Sequence, residues 1–284
     1  MLGFNGGLLG VRRVPTTGAA KGLWFPNEQS VAKRAAIWPT KGDPYWTDVS
    51  LLLPMNGSNG STTFTDASSN ALTVTANGNA QISTVQSKFG GASGLFDGSG
   101  DSLTISNNAL FTFGAGDLTI ECWIYIAGNS GPNLEGNRNA AICSTWPEQA
   151  PISGWLFGIA GSSSTTGTGL FLNTWPNTGA VIRTNFASSF TISQSAWHHV
   201  ALTISGGTQR LFFNGELQEG SADNLNGGFA EVNSYSNDLQ IARNRYGGYH
   251  MDLNGYIDDL RITKGVARYT ANFNPPTAAF PTSV

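Results

Sequence analysis

The chain lacks the features that would indicate a metal cage, a nucleic-acid reader or a membrane span. It has only two cysteines among 284 residues, Cys122 and Cys143, which are too few to form a zinc cage by themselves. Charged residues amount to 12%, the basic ones are scattered and no recognition motif accompanies them, so we expect no nucleic-acid binding. Residues 1–7 have neither a charged segment nor a long apolar run, and we predict neither a signal peptide nor membrane insertion.

Glycine, in contrast, is abundant at 36 residues, and together with many Ser, Thr and Asn residues it favours short strands joined by tight turns. Apolar and polar side chains alternate from Leu118 to Ile126, which predicts a strand with one face on a core. Cys122 lies on the apolar face, where we interpret it as a small buried hydrophobic residue rather than half of a disulfide. Asn214-Gly215 between two apolar runs is typical of a hairpin. Similar runs between residues 48 and 263 predict an all-β, two-sheet antiparallel sandwich.

Residues 1–46 differ in composition from the remainder of the chain. They carry six basic and two acidic residues, a net charge of +4, whereas residues 47–284 carry −7. A Gly-Leu-rich segment precedes one short helix over residues 29–37, which is too short to be stable alone. We therefore predict a mostly irregular docking arm over 1–46 that contacts either the sandwich or another protein, and a sandwich over 47–284 with an extended Pro-rich tail. The arm residues expected to dock are Leu8, Leu9, Arg12, Arg13, Trp24, Phe25 and Trp38.

Five motifs occur in a familiar order along the sandwich. They are Phe96-Asp97-Gly98-Ser99-Gly100-Asp101-Ser102-Leu103, the run from Leu118 to Tyr125, Trp197-His198-His199-Val200-Ala201-Leu202, Leu211-Phe212-Phe213-Asn214-Gly215, and Gly255-Tyr256-Ile257-Asp258-Asp259-Leu260-Arg261-Ile262. Over residues 48–280 this series resembles the laminin-G-like branch of the concanavalin A-like jelly rolls. The resemblance implies a jelly roll of two curved antiparallel sheets, often with a structural calcium ion and with glycan or protein binding on a sheet face or loop rim.

Residues 1–46 and the ending over 265–281 also resemble what tailed-bacteriophage structural proteins attach to such domains. This resemblance implies a non-enzymatic structural protein on the virion surface, either a capsid decoration or cement protein or a fibre or tail component. It would be made in the host cytoplasm and would bind other virion proteins and copies of itself, as a trimer by analogy. The alternative is a lectin-type adhesin that binds host cell-surface glycans.

Two aspartates, Asp101 and Asp258, each stand at the start of a predicted strand. Counting by twos places Asp258 on the face of Leu260 and Ile262, and Asp101 on an equivalent apolar face. A buried carboxylate that lacks its partner costs about 3–5 kcal/mol, so each needs a cation or several hydrogen-bond donors. Either both hold one structural Ca²⁺ together with loop carbonyl groups, or each accepts backbone N–H groups in its own turn.

A glycan site needs a flat aromatic ring beside hydrogen-bonding groups, because sugars present apolar C–H faces ringed by hydroxyls. Three tryptophans with asparagines nearby in sequence match this requirement: Trp146, Trp155 and Trp175 with Asn137, Asn139, Asn173 and Asn177. The alternative is that the tryptophans plug the ends of the sandwich, since tryptophan is highly buried on average.

Catalysis is not expected from the pattern of acids. Glycosidases on related jelly rolls carry two or three acids on alternate positions of one strand, facing the same sugar. Here Glu121 stands alone in its strand, whereas Asp258-Asp259 and His198-His199 are sequence neighbours that should point to opposite faces. No nucleophile elbow, phosphate loop or zinc-protease motif is present, so we predict a protein that is not an enzyme.

Overall fold

The computed structural model describes the following residues: 42–128, 139–146, 154–161, 167–175, 182–186, 192–218, 237–246 and 249–284. The docking residues proposed for the arm, its predicted helix and Asn177 lie outside them. Within the described ranges the regular secondary structure consists of strands and of two short 3-10 helices at Trp46–Asp48 and Ala109–Phe111. In these ranges no helix is long and apolar enough to cross a membrane.

The strands follow the short alternating runs of the sequence. In chain order they are β1 (Val49–Leu53), β2 (Thr75–Asn77), β3 (Gln81–Ser83), β4 (Ser93–Asp97), β5 (Ser102–Ile105), β6 (Leu118–Ile126), β7 (Ala140–Ser144), β8 (Gly154–Gly161), β9 (Gly167–Trp175), β10 (Ile182–Phe186), β11 (Trp197–Ser205), β12 (Thr208–Phe213), β13 (Glu216–Leu217), β14 (Leu239–Ile241), β15 (Arg245–Tyr246), β16 (Tyr249–His250) and β17 (Asn254–Lys264).

The strands form two antiparallel sheets and one small hairpin. The first sheet has the order β13-β12-β11-β6-β17-β4-β3, and β1 also pairs with β17. The second sheet has the order β10-β9-β8-β7-β14-β5-β2, while β15 pairs only with β16. The predicted all-β, two-sheet jelly-roll sandwich is confirmed.

One core lies between the two sheets. The apolar set of β6 (Leu118, Ile120, Cys122, Ile124 and Ile126) is buried there. It packs in the same cluster as Phe157 and Leu170 of the second sheet, and each buried side chain of this kind stabilises the fold by about 1.5–3 kcal/mol. Cys122 and Cys143 are both free and buried in this cluster, and burial raises the pKa of each thiol. The alternation read from the sequence of β6 is therefore the inward and outward pattern of a core strand.

The hairpin between β12 and β13 turns at Asn214-Gly215, as predicted. Both residues have positive φ, 50° and 81°, the left-handed conformation that a two-residue hairpin turn requires. A Cβ on Gly215 would collide with the carbonyl group of Phe273, so the turn also accommodates the chain that passes over it. Local turn chemistry and long-range packing thus select the same residue.

The outward face of the first sheet is covered over part of its area. Thr119, Glu121 and Trp123 of β6 are buried although they point away from the core. Residues 265–284, which we call the tail, contact Thr119 and Glu121, whereas Lys88 and Phe89 contact Trp123. Tyr269 and Phe273 of the tail stack with ring centroids 3.5 Å apart. The tail is without helix or strand, as its prolines predicted, but it is packed against the sheet.

The packed part of the chain begins earlier than the predicted boundary at residue 47. The backbone N–H of Asp43 donates to the carbonyl of Ser283 at 2.9 Å, and the Asp43 side chain is 2% exposed. Its carboxylate is bound by Arg261 and Arg268, both at 2.8 Å. Asp43 is therefore part of the sandwich, although the sequence placed it in the arm.

Candidate functional site

Five outward side chains form a row across the uncovered part of the first sheet. The pairing registers are Trp197 with Tyr125, Tyr125 with Tyr256, Tyr256 with Leu95, and Leu95 with Gln81. Residues directly opposite each other in antiparallel strands share one face of the sheet. Because the neighbours of Tyr125 in sequence are in the core, all five side chains point outward. We call this set the aromatic row.

The three rings of the row support one another. Tyr125 lies 5.6 Å from Trp197 and 5.5 Å from Tyr256, measured between ring centroids, with interplanar angles of 58° and 84°. Tilted and edge contacts of this kind are the favoured arrangements of aromatic pairs. Tyr125 and Trp197 are half-buried and Tyr256 is 9% exposed, so the rings are held in place while part of their surface faces solvent.

A polar cleft adjoins the Gln81 end of the row. It has a volume of about 450 Å³ and is lined by Gly60, Thr62, Gly78, Asn79, Gln81, Leu95, Asp97 and Asp101. Leu95 and Gln81 belong to both the row and the cleft. Asp97 pairs with Asn254 and lies two residues after Leu95, so it faces the same side of the sheet. The row therefore leads from three aromatic rings into a group of amides, a hydroxyl and carboxylates.

The two carboxylates of the cleft have different environments. Asp101 is buried; its Oδ1 accepts the backbone N–H of Asn79 at 2.5 Å and its Oδ2 that of Asp97 at 2.9 Å. Burial raises the pKa of Asp101, against the lowering effect of these two hydrogen bonds. Asp97 is exposed, and its Oδ2 receives only a long contact of 3.4 Å from the Asn79 amide. Asp101 is thus held by the loop, whereas Asp97 is accessible to a ligand.

Asp101 and Asp258 both accept backbone N–H groups, as in the second of the two roles that we considered, but only the bond from Asp97 to Asp101 lies within the aspartate's own turn. The Oδ2 atom of Asp258 accepts the backbone N–H groups of Lys88 and Phe89 at 2.7 and 3.0 Å. Asp101 is bound by residues 79 and 97, so the two aspartates organise different loops. In the described part of the chain no group of three or more His, Cys, Asp or Glu residues could hold a metal ion. These side chains do not fit the shared calcium site that we predicted.

The predicted orientation of Asp258 is wrong because β17 contains a bulge. The register shifts between Asp258, which pairs with Trp123, and Arg261, which pairs with Glu121. Asp259 within the bulge has a φ of 52°. Because a bulge adds one residue to the strand, side chains before and after it no longer alternate between the two faces with a period of two. Asp258 therefore lies on the outward face with Trp123, while Leu260 and Ile262 are in the core. Burial raises the pKa of Asp258 to about 6 and that of Asp259 to about 7.

A buried charged cluster lies under the tail, on the same face as the aromatic row. The fully buried Oε1 of Glu121 accepts hydrogen bonds from Nε and Nη2 of Arg261 at 3.0 and 2.6 Å. Its Oε2 accepts the hydroxyl of Tyr269 at 2.8 Å and lies 3.3 Å from Nε2 of His199. Burial raises the pKa of Glu121, but the charge of Arg261 and the contacts with His199 outweigh it and lower this pKa to about 2.

The partners of this cluster could not be read from the sequence of β6 alone. Glu121 is the single acid of β6, as the sequence indicated, but its charge partners come from β11, β17 and the tail. His198 and His199 are both buried, at 8% and 0% exposure, rather than one in the core and one on the surface. His199 lies edge-on to Trp123 and to Phe273 of the tail. With Asp43 bound to Arg261 and Arg268, the cluster ties residue 43, β6, β17 and the tail together.

The tryptophans predicted for a glycan site have other positions. Trp155 is fully buried and its Nε1–H donates to the carbonyl of Phe111 at 3.2 Å, so the prediction is wrong for this residue. Trp146 is 8% exposed and packs with Leu156 and Phe171 on the outward side of the second sheet. Trp175 ends β9, where its backbone pairs with Gly154.

Two of the asparagines predicted with these tryptophans lie at the second sheet. The Oδ1 atom of Asn139, just before β7, accepts the backbone N–H of Gly161 at 3.0 Å, which is a structural role. Asn173 of β9 is half-buried and stands opposite Leu156. Asn137 and Asn177 lie outside the described residues. The structure thus places neither Asn139 nor Asn173 at the aromatic row.

Sequence reasoning missed the aromatic row, although part of its signal was present. Tyr125 stood on the polar face of β6, and Trp197 and Tyr256 occurred in the family-like motifs. An aromatic side chain at an outward strand position is the signal that could have indicated a binding face. What the sequence did not provide was the register that aligns residues 81, 95, 125, 197 and 256 across five strands.

Three solved structures share this fold. The binding domain of Paraclostridial Mosquitocidal Protein 1 superposes with a TM-score of 0.55 and 16% identity, over 79% of this chain and 50% of that chain. The binding domain of botulinum neurotoxin serotype D has a TM-score of 0.52 and 18% identity, over 78% of this chain and 49% of that chain. The third structure is domain 4 of AbnA, an extracellular arabinanase from Geobacillus stearothermophilus, in complex with arabinotriose. It has a TM-score of 0.52 and 11% identity, over 78% of this chain and 94% of that chain. The chain spans about half the length of the two toxin binding domains.

The family assignment comes from the sequence. No curated protein matches the chain significantly. The profile of the concanavalin A-like lectin/glucanases superfamily matches residues 97–268, more than half of the chain and the part that contains β5 to β17. Together with the two-sheet sandwich, this match shows that the chain belongs to the concanavalin A-like lectin/glucanases superfamily.

Proposed function

We propose that this protein binds carbohydrate and that the aromatic row is its binding face. The observation that carries the proposal is the continuous arrangement of Trp197, Tyr125 and Tyr256 beside a polar cleft. The apolar C–H faces of a sugar stack on aromatic rings, and its hydroxyls need donors and acceptors at the rim. The row and the cleft supply both on one face of one sheet.

The comparisons support this proposal at the level of the fold. The superfamily joins lectins with glucanases, both of which recognise carbohydrate. The arabinanase domain that shares the fold was solved with an oligosaccharide, and the two toxin structures are binding domains. Their identities of 11–18% leave the choice of sugar in this chain to its own residues.

The proposed function is binding without catalysis. Asp97 and Asp101 are the two acids of the cleft, but both oxygens of Asp101 already accept backbone N–H groups. A retaining or inverting glycosidase needs two carboxyl groups that both reach the sugar. Asp97 alone is accessible, which suits a hydrogen-bond acceptor for hydroxyls rather than one member of a catalytic pair.

A glycan array followed by calorimetry tests the proposal. We expect the wild-type protein to bind at least one class of neutral glycan, and Trp197→Ala and Tyr125→Ala to weaken binding by about tenfold because a stacking ring is lost. Leu217→Ala is the matched control, since Leu217 is an exposed apolar residue (37%) on the same sheet but outside the row. Unfolding temperatures near that of the wild type would confirm that the variants fold. Failure of the wild type to bind any glycan would contradict the proposal.

The place of action that we propose is a virion surface, with the sandwich anchored through residues 1–41. The feature that supports it is the position of Asp43, which is bound in the charged cluster under the tail. A segment that precedes Asp43 would leave the domain at the covered part of the sheet and would keep the aromatic row free to face outward. In this proposal the partners are other virion proteins, copies of the chain and host surface glycans.

Deletion of residues 1–41 separates the two parts of this proposal. We expect the truncated protein to retain glycan binding and to be absent from purified particles. Incorporation of the truncated protein into particles at the wild-type level would contradict the anchoring role. Loss of glycan binding on truncation would instead show that residues 1–41 belong to the binding face.

A further inference from the structure

We infer, on the basis of the proposed function, that the aromatic row binds an extended segment of an uncharged glycan chain laid across the strands, and that the cleft at its Gln81 end disfavours acidic sugars. The length of the row, the residues beside it and the charge of the cleft support this kind of ligand.

The row is longer than a single sugar. It crosses five consecutive strands, β11, β6, β17, β4 and β3, through directly paired residues. Neighbouring strands lie about 4.8 Å apart, so Trp197 and Gln81 are separated by about 19 Å. A single sugar ring covers one aromatic side chain at a time, and several linked sugars are needed to contact both ends. The cleft at the Gln81 end is open rather than enclosed, which suits a continuing chain rather than a terminal sugar.

The direction of the chain is set by what lies beside the row. One step along the strands from Tyr125 and Tyr256, the outward residues are Trp123 and Asp258. Asp258 holds the backbone of Lys88 and Phe89 over this position, and the Lys88 ammonium lies 3.7 Å from the centroid of the Trp123 ring. Beyond Trp123 the surface is occupied by His199 and the tail. A ligand that ran along the strands past Trp123 would meet this obstruction, whereas the row of outward side chains continues across the strands.

The charge of the cleft selects against acidic sugars. The described residues that line it include the carboxylates of Asp97 and Asp101, and none of these described residues is Lys, Arg or His. The exposed carboxylate of Asp97 stands at the level of Leu95 and Asn254, at the end of the row. It can accept hydrogen bonds from hydroxyl or amino groups, whereas it repels a sugar carboxylate or sulfate. Neutral sugars and amino sugars are therefore the chemical class that this site fits.

Calorimetry with ladders of defined oligosaccharides tests the inference. The probes are linear arabino-, xylo-, manno-, cello- and chito-oligosaccharides of one to six units, together with oligogalacturonates as the anionic series. For the neutral series that binds, we expect affinity to increase by at least about tenfold between the disaccharide and the longest member, and then to level off. Oligogalacturonates of equal length should bind at least about tenfold more weakly.

Variants at the two ends of the row sharpen this test. We expect Trp197→Ala and Gln81→Ala each to weaken binding of the longest oligomer by about fivefold, because a chain that fills the row contacts both ends. A disaccharide, which cannot reach both ends, should lose affinity with at most one of these variants. Asp97→Asn keeps an oxygen for the Ser99 backbone N–H and should raise the affinity for oligogalacturonate by about fivefold, whereas Asp238→Asn, another exposed carboxylate, is the control.

The outcomes distinguish the inference from the function on which it rests. Equal affinity for monosaccharide and hexasaccharide would overturn the extended-chain inference while leaving carbohydrate binding intact. Binding of oligogalacturonate as tight as that of the neutral series would overturn the charge selection. Absence of binding to every oligosaccharide and to the glycan array would overturn the proposed function itself.

Discussion

The outward face of the first sheet has two regions that differ in how their side chains are held in place. In the covered half, charged groups of Glu121, Arg261 and Asp43 are buried under the tail and bind one another. In the open half, the rings of Trp197, Tyr125 and Tyr256 support one another while part of their surface remains accessible. Strands β6, β11 and β17 contribute to both halves, so the tail accounts for much of the difference between them.

This comparison indicates which half can bind a ligand. Buried charges are costly unless every one is paired, and the covered half meets this condition through residues from four distant parts of the chain. The covered half therefore has a structural role, which is to hold the tail against the sheet. Among the described residues no such charged network holds the aromatic row of the open half, and its rings are positioned by one another.

The largest expected effect is the removal of Arg261 from the covered half. Arg261→Ala leaves Glu121 buried with only the more distant guanidinium of Arg268, 3.9 Å away, and leaves Asp43 with one arginine instead of two, so it should lower the free energy of unfolding by about 3–5 kcal/mol. Urea unfolding followed by circular dichroism measures this change. Arg210→Ala on β12 is the control and should cost less than about 0.5 kcal/mol. An equal loss of unfolding free energy in the two variants would show that the charged cluster does not stabilise the fold.

A smaller effect is expected where the tail crosses the hairpin. Gly215→Ala should cost about 3 kcal/mol, because φ is 81° and the new Cβ would collide with the Phe273 carbonyl group. Gly207→Ala is the matched control, with a φ of 77° and no atom within 4 Å of the new Cβ, and it should cost only about 1 kcal/mol. The difference in unfolding free energy between the two variants measures how firmly the tail is packed. No difference would contradict tight packing of the tail.

The pH dependence of stability should differ between Glu121 and Asp258. Glu121 has a lowered pKa of about 2, so its contribution is present above about pH 4.5 and is lost as pH falls through 2. Asp258 has a raised pKa of about 6, so its contribution is present below pH 3.8 and is lost as pH rises through 6. Asp258→Asn keeps an acceptor for Lys88 and Phe89 and should raise the free energy of unfolding at pH 8 by up to about 3 kcal/mol.

Urea unfolding at pH 5 and pH 8 checks this prediction. The gain from Asp258→Asn should be larger at pH 8 than at pH 5, because only the ionised carboxylate is disfavoured by burial. Asp238→Asn, at an exposed position, is the control and should show the same small effect at both pH values. A gain in unfolding free energy that is larger at pH 5 than at pH 8 would contradict the raised pKa of Asp258.

The smallest effect is expected for the hydroxyl that joins the tail to the cluster. Tyr269→Phe removes the hydrogen bond to Oε2 of Glu121 but keeps the ring that stacks on Phe273, and it should cost about 1.5 kcal/mol. Hydrogen exchange of residues 265–284 should increase, whereas glycan binding at the aromatic row should not change. A loss of glycan affinity in this variant would show that the two halves are coupled rather than independent.

Much of the fold was predictable because its signals are local. The alternation from Leu118 to Ile126 placed one set of side chains in the core, and Asn214-Gly215 marked a turn with two positive φ values. These features depend on a few consecutive residues and on the period of a strand. The order of the family-like motifs then indicated the two-sheet jelly roll.

The site was less predictable because its members are distant in sequence. Asp258 was assigned to the wrong face, since a bulge at Asp259 changes the period without a strong local signal. Trp155 was a glycan candidate from its neighbours, but the stacking of the second sheet against the first buries it in the core. Glu121 acquires its charge partners only when the tail returns to the sheet.

The sequence by itself determined the strand periodicity, the turns and the superfamily, because each depends on residues that are neighbours along the chain. The tertiary structure decided the register of β3, β4, β17, β6 and β11, and therefore the alignment of the aromatic row. It also decided that residues 265–284 cover one half of the outward face and leave the other open. The physical reason is that pairing register and tail packing are set by the total of many weak contacts between distant segments, which no local pattern of residues encodes.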